Sequence, residues 1–351
     1  MTLQSSINQL CDKWGLNLDH IDRAQKDSDE TVVELEKRLC DINPRNDTSI
    51  VVFGSLARGE FSAKSDIDWT LLIDGAADSN HLETVLEIGR IVDEVAGKSP
   101  GQEGVFGNLT FSHELIHLIG GQDDTNFNTT QRNLLLLESK VIGDSAAHKR
   151  TIRNILNRYI LEDTSYGDHS TYDHVPRFLL NDFARYWRTM AVDFAYKRRR
   201  RQQAGAALRN IKLRMSRKLL YVTGLISCFG CELGLCFNTE NKNCPVENCI
   251  RGMERLISFS PLEILAQTVL KISPERQDVL AGLFESYNDF IGLLQDKDAR
   301  NILNNLTPDQ YAENSVFQDA RRNSHRFRDG LDHLFFEVEP LKTLTRKYGV
   351  F

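Results

Sequence analysis

At 351 residues, with 41% apolar and 26% charged side chains, the chain is long enough for two domains of the usual size, about 100–200 residues each. Its net charge of −6 excludes a molecule that is basic throughout, so any contact with nucleic acid or polyphosphate must come from a local patch. No positive stretch followed by an apolar run opens the chain, and nowhere do eighteen apolar residues run together; a soluble, cytoplasmic protein is expected.

Residues 1–45 read as a helical prelude: Leu3, Ile7 and Leu10 recur at helical spacing, and after a polar break comes TVVELEKRLCDI. SIVVFGS then has the character of a buried strand, and SDIDWTLLIDG gives a second, with a short loop carrying Gly, Ser and Arg between them. HLETVLEIGRIVDEVAG is a helix closed at Gly97. In NLTFSHELIHLIGG, the alternation of Phe111, His113, Leu115 and His117 against Thr110, Ser112, Glu114 and Ile116 predicts a third strand. NTTQRNLLLLESKVIGD reads as a helix, capped by Asn128 or Thr129 and ending near Gly143.

Beyond about residue 148 the strand signals fade. RTIRNILNRYILED, RFLLNDFARYWRTMAVDFAYK, RNIKLRMSRKLLYVTGLIS, PLEILAQTVLKIS and RQDVLAGLFESYNDFIGLLQ all carry helical periods. The organisation expected is therefore α+β: a helical segment over 1–45, a mixed-sheet domain over 46–147 and an all-helical domain over 148–351. Of seven cysteines, Cys228, Cys231, Cys236, Cys244 and Cys249 crowd together with one C-x-x-C, while Cys11 and Cys40 stand alone. The C-x-x-C could hold zinc, but without a second paired knuckle or added histidines reduced thiols are the default, Cys228 and Cys231 reading as small buried hydrophobes on a helical run.

The chemistry is concentrated in Phe53-Gly54-Ser55-Leu56-Ala57-Arg58-Gly59-Glu60 and in Ser65-Asp66-Ile67-Asp68-Trp69. Two carboxylates separated by one residue on a strand point to the same side, so Asp66 and Asp68 can grip one metal cluster. Glycine and serine at a strand-to-helix turn let the backbone approach a polyphosphate, with N–H groups meeting its charge. Mg²⁺ takes oxygen ligands and is commonly shared between one or two carboxylates and substrate phosphates. Arg58 has two readings, phosphate contact or ion pair with a carboxylate; Ser65 reads as a turn cap.

Gly54-Ser55, ten intervening residues and Asp66-Ile67-Asp68 resemble the pattern of the nucleotidyltransferase superfamily with a polymerase-beta-like fold. The fuller run GSLARGEFSAKSDIDWTLL looks nearest to the bacterial branch that contains the uridylyltransferase of the PII nitrogen-signalling protein, and the small nucleotidyltransferase antitoxins share its spacer. The resemblance implies an α/β catalytic domain joined to a helical one, two Mg²⁺ ions held by Asp66 and Asp68, an NTP bound near Gly54 and Ser55, and NMP transfer with release of pyrophosphate. Most members supply a third carboxylate from a neighbouring strand; Glu114 is the candidate here and Asp124 its competitor. His113 and His117 read as structural, for want of a third nearby ligand.

Between Arg185 and Lys218 there are twelve Lys or Arg and one acid, Asp193. KRRRRQQAG at 197–205 is a helix end with its turn, and the rest of these cations lie on amphipathic helices. Lys212, Arg214 and Lys218 are the candidates for holding the triphosphate tail or the leaving pyrophosphate; the alternative is that they lie along their own helix. Three functions follow from the sequence: NMP transfer to a protein hydroxyl, transfer to an RNA 3′ end or a nucleotide, and nucleotide sensing without chemistry.

Overall fold

A computed structural model of the chain describes residues 5–42, 46–62, 65–97, 106–161, 175–200, 205–236 and 246–349. Two compact units emerge, residues 23–173 with 245–260, and residues 1–22 with 174–244 and 261–351. The prelude is thus shared between them, its first helix belonging to the second unit. Among the described residues, no helix is long and apolar enough to cross a membrane.

The first unit is built on a four-stranded mixed sheet. In chain order its strands are β1 (Thr48–Phe53), β2 (Asp68–Ile73), β3 (Asn108–Phe111) and β4 (Ser139–Ile142), arranged β3-β2-β1-β4. β1 pairs antiparallel with β2 and β4, while β2 and β3 run parallel across a helical crossover. Every residue of β1 is buried, which explains its uninterrupted apolar reading. One face of the sheet, carrying Ile50, Val52, Trp69, Leu71 and Ile73, packs with Val32, Leu35 and Leu39 of one helix and Val85, Ile88 and Val92 of another. Numbered along the whole chain after α1 (Ser6–Trp14), these are α2 (Asp19–Leu39) and α4 (Asn80–Ala96), with the short α3 (Gly54–Ala57) between them.

The segment expected as a third strand divides in two. Only Asn108–Phe111 pairs in the sheet, and the chain then coils into α5 (Ser112–His117). Leu115 and Ile116 are both buried, a neighbouring pair that a strand with one solvent-facing side would separate and a helix allows. The next expected helix is shorter than its reading. α6 (Asn126–Leu137) is capped by Thr125, whose side chain accepts from the Asn128 N–H, and SKVI after it is strand β4. α7 (Ala146–Leu161) returns to the sheet, where the His148 N–H donates to the Ser49 hydroxyl (3.2 Å).

His148 also fixes β4. The Ser139 hydroxyl spends its one proton on the Leu135 carbonyl (2.6 Å), so the contact with His148 Nε2 (2.8 Å) requires the ring to donate. Burial, reinforced by Lys149, holds the imidazole pKa down at about 4, against an ordinary 6.5. Between those values the unfolded chain binds a proton that the folded chain refuses, so stability falls as pH drops from about 6.5 to about 4. Urea denaturation at steps of pH across this window is expected to show that decline, and His148→Gln, which keeps a side-chain N–H donor but cannot titrate, is expected to flatten it.

The second unit is helical. It contains α8 (Arg177–Arg200), α9 (Ala206–Lys212), a π-helical turn at Leu213–Arg217, α10 (Lys218–Phe229), α12 (Pro261–Ile272), α13 (Asp278–Gln295), α14 (Lys297–Asn305), α15 (Ser315–Phe336) and α16 (Leu341–Leu344), whereas α11 (Val246–Ile257) belongs with the sheet unit. A Cβ on Gly224 would meet the Phe183 ring at 3.0 Å, so glycine is what lets α8 and α10 approach. Cys228, Cys231 and Cys236 are buried in this unit, and Cys249 is buried in the sheet unit; Cys244, like residues 201–204 of the basic run, lies outside the described residues.

Candidate active site

β1 ends at Phe53, which stands opposite Asp68, the first residue of β2. The chain must turn sharply there, and Gly54 does so at φ 67°, in the left-handed region that glycine tolerates best. A side chain at this position is excluded by space as well. A Cβ would lie 2.8 Å from Oδ2 of Asp68, so the backbone of the turn rests directly against that carboxylate.

Asp66 and Asp68 flank Ile67, and from 66 to 69 exposure alternates: Asp66 exposed, Ile67 buried, Asp68 half-buried, Trp69 buried. Ile67 and Trp69 belong to the core beneath the sheet, which leaves Asp68 on the opposite face of β2, with Asp66 exposed two residues before it. Asp68 shares its sheet face with Thr70, whose hydroxyl contacts that of Thr110 (3.0 Å), and Gln131 donates to Thr110 in turn (2.9 Å). This chain of polar groups ties β2, β3 and α6 together beside the acid pair. Ser55 is the second residue of α3, half-buried, and no side chain caps that helix. Its first-turn N–H groups are therefore donors suited to an oxyanion.

Arg58 is 8% exposed, and it pairs with two buried acids. Its Nε donates to Glu60 (2.8 Å) and its Nη1 to Glu138, across 80 residues of chain. Of the two roles open to Arg58 in the sequence, ion pairing is the one displayed, and it anchors the Gly54–Gly59 loop to the edge of β4. Glu138 was invisible to sequence reasoning because it follows four leucines with no periodic signal. Ser65 does form a turn, its N–H bonded to the Ser62 carbonyl (2.7 Å).

The expected third carboxylate does not gather with the other two. Glu114 lies exposed in the first turn of α5, so the strand alternation that would have aimed it is absent. Asp124 is buried in a bidentate pair with Arg132 (3.1 and 2.9 Å), whose Nε reaches the Tyr159 hydroxyl (2.7 Å). Among the described residues, no group of three or more His, Cys, Asp or Glu side chains could hold a metal ion. His113 and His117 sit one helical turn apart with ring centroids 4.8 Å from each other. Lys212, Arg214 and Lys218 lie in the helical unit, at the end of α9, within the π-helical turn and at the start of α10.

Residues 32–101 match the family model of the nucleotidyltransferase domain, a span that takes in the Gly54-Ser55 turn, Asp66 and Asp68. No curated protein and no solved structure matches the chain.

Proposed function

We propose that the nucleotidyltransferase domain at residues 32–101 is a working catalyst, which moves an NMP from an NTP to a hydroxyl group on a protein in the cytoplasm, where NTPs are abundant. The observation that carries this reading is the packing of the Asp68 carboxylate against the Gly54 backbone, with Asp66 exposed two residues before it. A triphosphate laid on the turn would meet uncapped N–H groups on one side and the acid pair on the other.

Asp66 and Asp68 offer the hard oxygen ligands that Mg²⁺ selects, and two carboxylates completed by substrate phosphates are a common way to bind it. Such an ion, when bound, neutralises charge on the triphosphate and on the departing pyrophosphate. In the reaction the acceptor oxygen bonds to the α-phosphorus, the bond from that phosphorus to the bridging oxygen breaks, and pyrophosphate leaves while the hydroxyl proton passes to a carboxylate or to water. The protein's own share is positioning: the Gly54-Ser55 backbone holds the phosphates, and the Arg58–Glu60–Glu138 network keeps that backbone still. A protein acceptor is supported by the likeness of GSLARGEFSAKSDIDWTLL to the branch that modifies a signalling protein.

The protein, mixed with each labelled NTP, Mg²⁺ and the products of neighbouring genes, is expected to release pyrophosphate and leave one partner heavier by an NMP on intact mass spectrometry. A chelator should stop both. Elongation of an RNA or a free nucleotide would instead identify that class of acceptor, and tight NTP binding with no turnover against any acceptor would make the domain a sensor and end the catalytic reading.

A further inference from the structure

Two helices of the helical unit, α13 and α15, border a cleft of about 650 Å³, within the size range of small-molecule sites. Its walls include Asp278 and Gly282 on α13 and Arg321, Arg322, His325, Arg326 and Asp329 on α15, so cations outnumber acids there. Most of the positive charge nearby is already matched. Arg322 pairs with Asp319, Arg326 with Glu285, and Arg328 with Asp329, while Lys218 lies close to Asp332.

Arg321 and Arg214 are different. Arg321 is exposed and has no acidic partner among the described residues, and the Arg214 Nε donates to a neutral group, the Asn210 side chain (2.8 Å). Arg321 and His325 are one helical turn apart on α15. Arg214 stands in the π-helical turn Leu213–Arg217, which packs against α15 and is a backbone irregularity that tends to occur at functional sites. The three are close enough to feel one another. Burial, with the charges of Arg321 and Arg328, lowers the pKa of Arg214, and burial, with Arg328, Arg214 and Arg321, lowers that of His325 against the opposing pull of Asp329. Like charges that outnumber their counter-ions are relieved by an anion that all of them can reach.

We propose that Arg214, Arg321 and His325 form a site for one phosphoryl group of a small molecule, the remainder of which occupies the cleft between α13 and α15. Two guanidinium forks match phosphate oxygens bidentately, and the imidazole adds a third donor. A single doubly charged group fits two unmatched cations, whereas a nucleic-acid backbone calls for a longer row of them. The site requires neither the acid pair nor a divalent ion.

The test is calorimetry on the full-length protein without divalent ions, using inorganic pyrophosphate and a ribonucleoside monophosphate as probes. Saturable binding of either at one per chain is expected, with a shift of the His325 ring resonance; tighter binding of the monophosphate would point to an ester ligand, and of pyrophosphate to a free ion. Arg321→Ala, at an exposed and unmatched position, should keep the fold and weaken binding about tenfold or more, as loss of a charge-assisted bond implies. Arg322→Ala, which removes an already paired cation from the same wall, should change it far less. Absence of binding at millimolar probe, equal affinity in Arg321→Ala, an unmoved His325 resonance, or binding of single-stranded RNA in place of both probes would overturn the proposal. Because Asp66→Asn/Asp68→Asn should bind the probes like the wild type while losing transfer, the two readings can fail separately.

Discussion

Asp68→Asn is expected to lower nucleotidyl transfer by about 10²–10⁴-fold while leaving the fold close to wild-type stability. The substitution keeps shape and removes charge. A divalent ion bound to substrate phosphates draws much of its hold on the protein from anionic oxygen, and metal stabilisation of transition-state charge is worth several kcal/mol, each 1.36 kcal/mol being about tenfold in rate. The fold has less at stake, because the side chain is half-buried at the mouth of the sheet rather than in its core. A carboxamide also tolerates contact with the Gly54 backbone, where a larger group would not fit. Steady-state kinetics beside a urea melt separates the two effects: kcat should fall and the melt midpoint should hold. Activity within twofold of wild type would remove Asp68 from the chemistry, and with it the reading of the turn it packs against.

What the sequence disclosed follows from the range of the signal. β1 and β2 were legible because each is a short apolar run bounded by turn residues, and the candidate site could be picked out because Gly54, Ser55, Asp66 and Asp68 lie close together in the chain between the end of β1 and the start of β2. The passage from Phe111 to His117 misled for the same reason. Four residues of strand and six of helix are each too short to display a period, and their junction mimics strict alternation. SKVI was absorbed into a helix because the preceding NLLLL run continues its apolar character up to the strand. The pairing of Arg58 with Glu138 could not be read at all, since nothing local marks two residues 80 apart as neighbours. Nor does an amino-acid pattern announce the π-helical turn that carries Arg214.

Arg58→Met is expected to destabilise the sheet unit by about 3–5 kcal/mol, the usual cost of leaving buried charge without its partner. Glu60 and Glu138 are 8% and 3% exposed, and Arg58 Nε and Nη1 both serve them. Remove the guanidinium and two buried carboxylates lose the cation they share. The loss comes from the charge left behind, so it should shrink when that charge is also removed. Arg58→Met/Glu138→Gln is therefore expected to be more stable than Arg58→Met alone, by at least about 1 kcal/mol of coupling in a double-mutant cycle. Equilibrium urea melts of the four proteins measure this directly. The folded fraction of Arg58→Met should also transfer nucleotide poorly, because the loop that presents Gly54 and Ser55 has lost its tie to β4. A single variant within 1 kcal/mol of wild type, or a cycle with no coupling, would mean that Arg58 is dispensable to the loop and must be sought among the groups that meet the nucleotide.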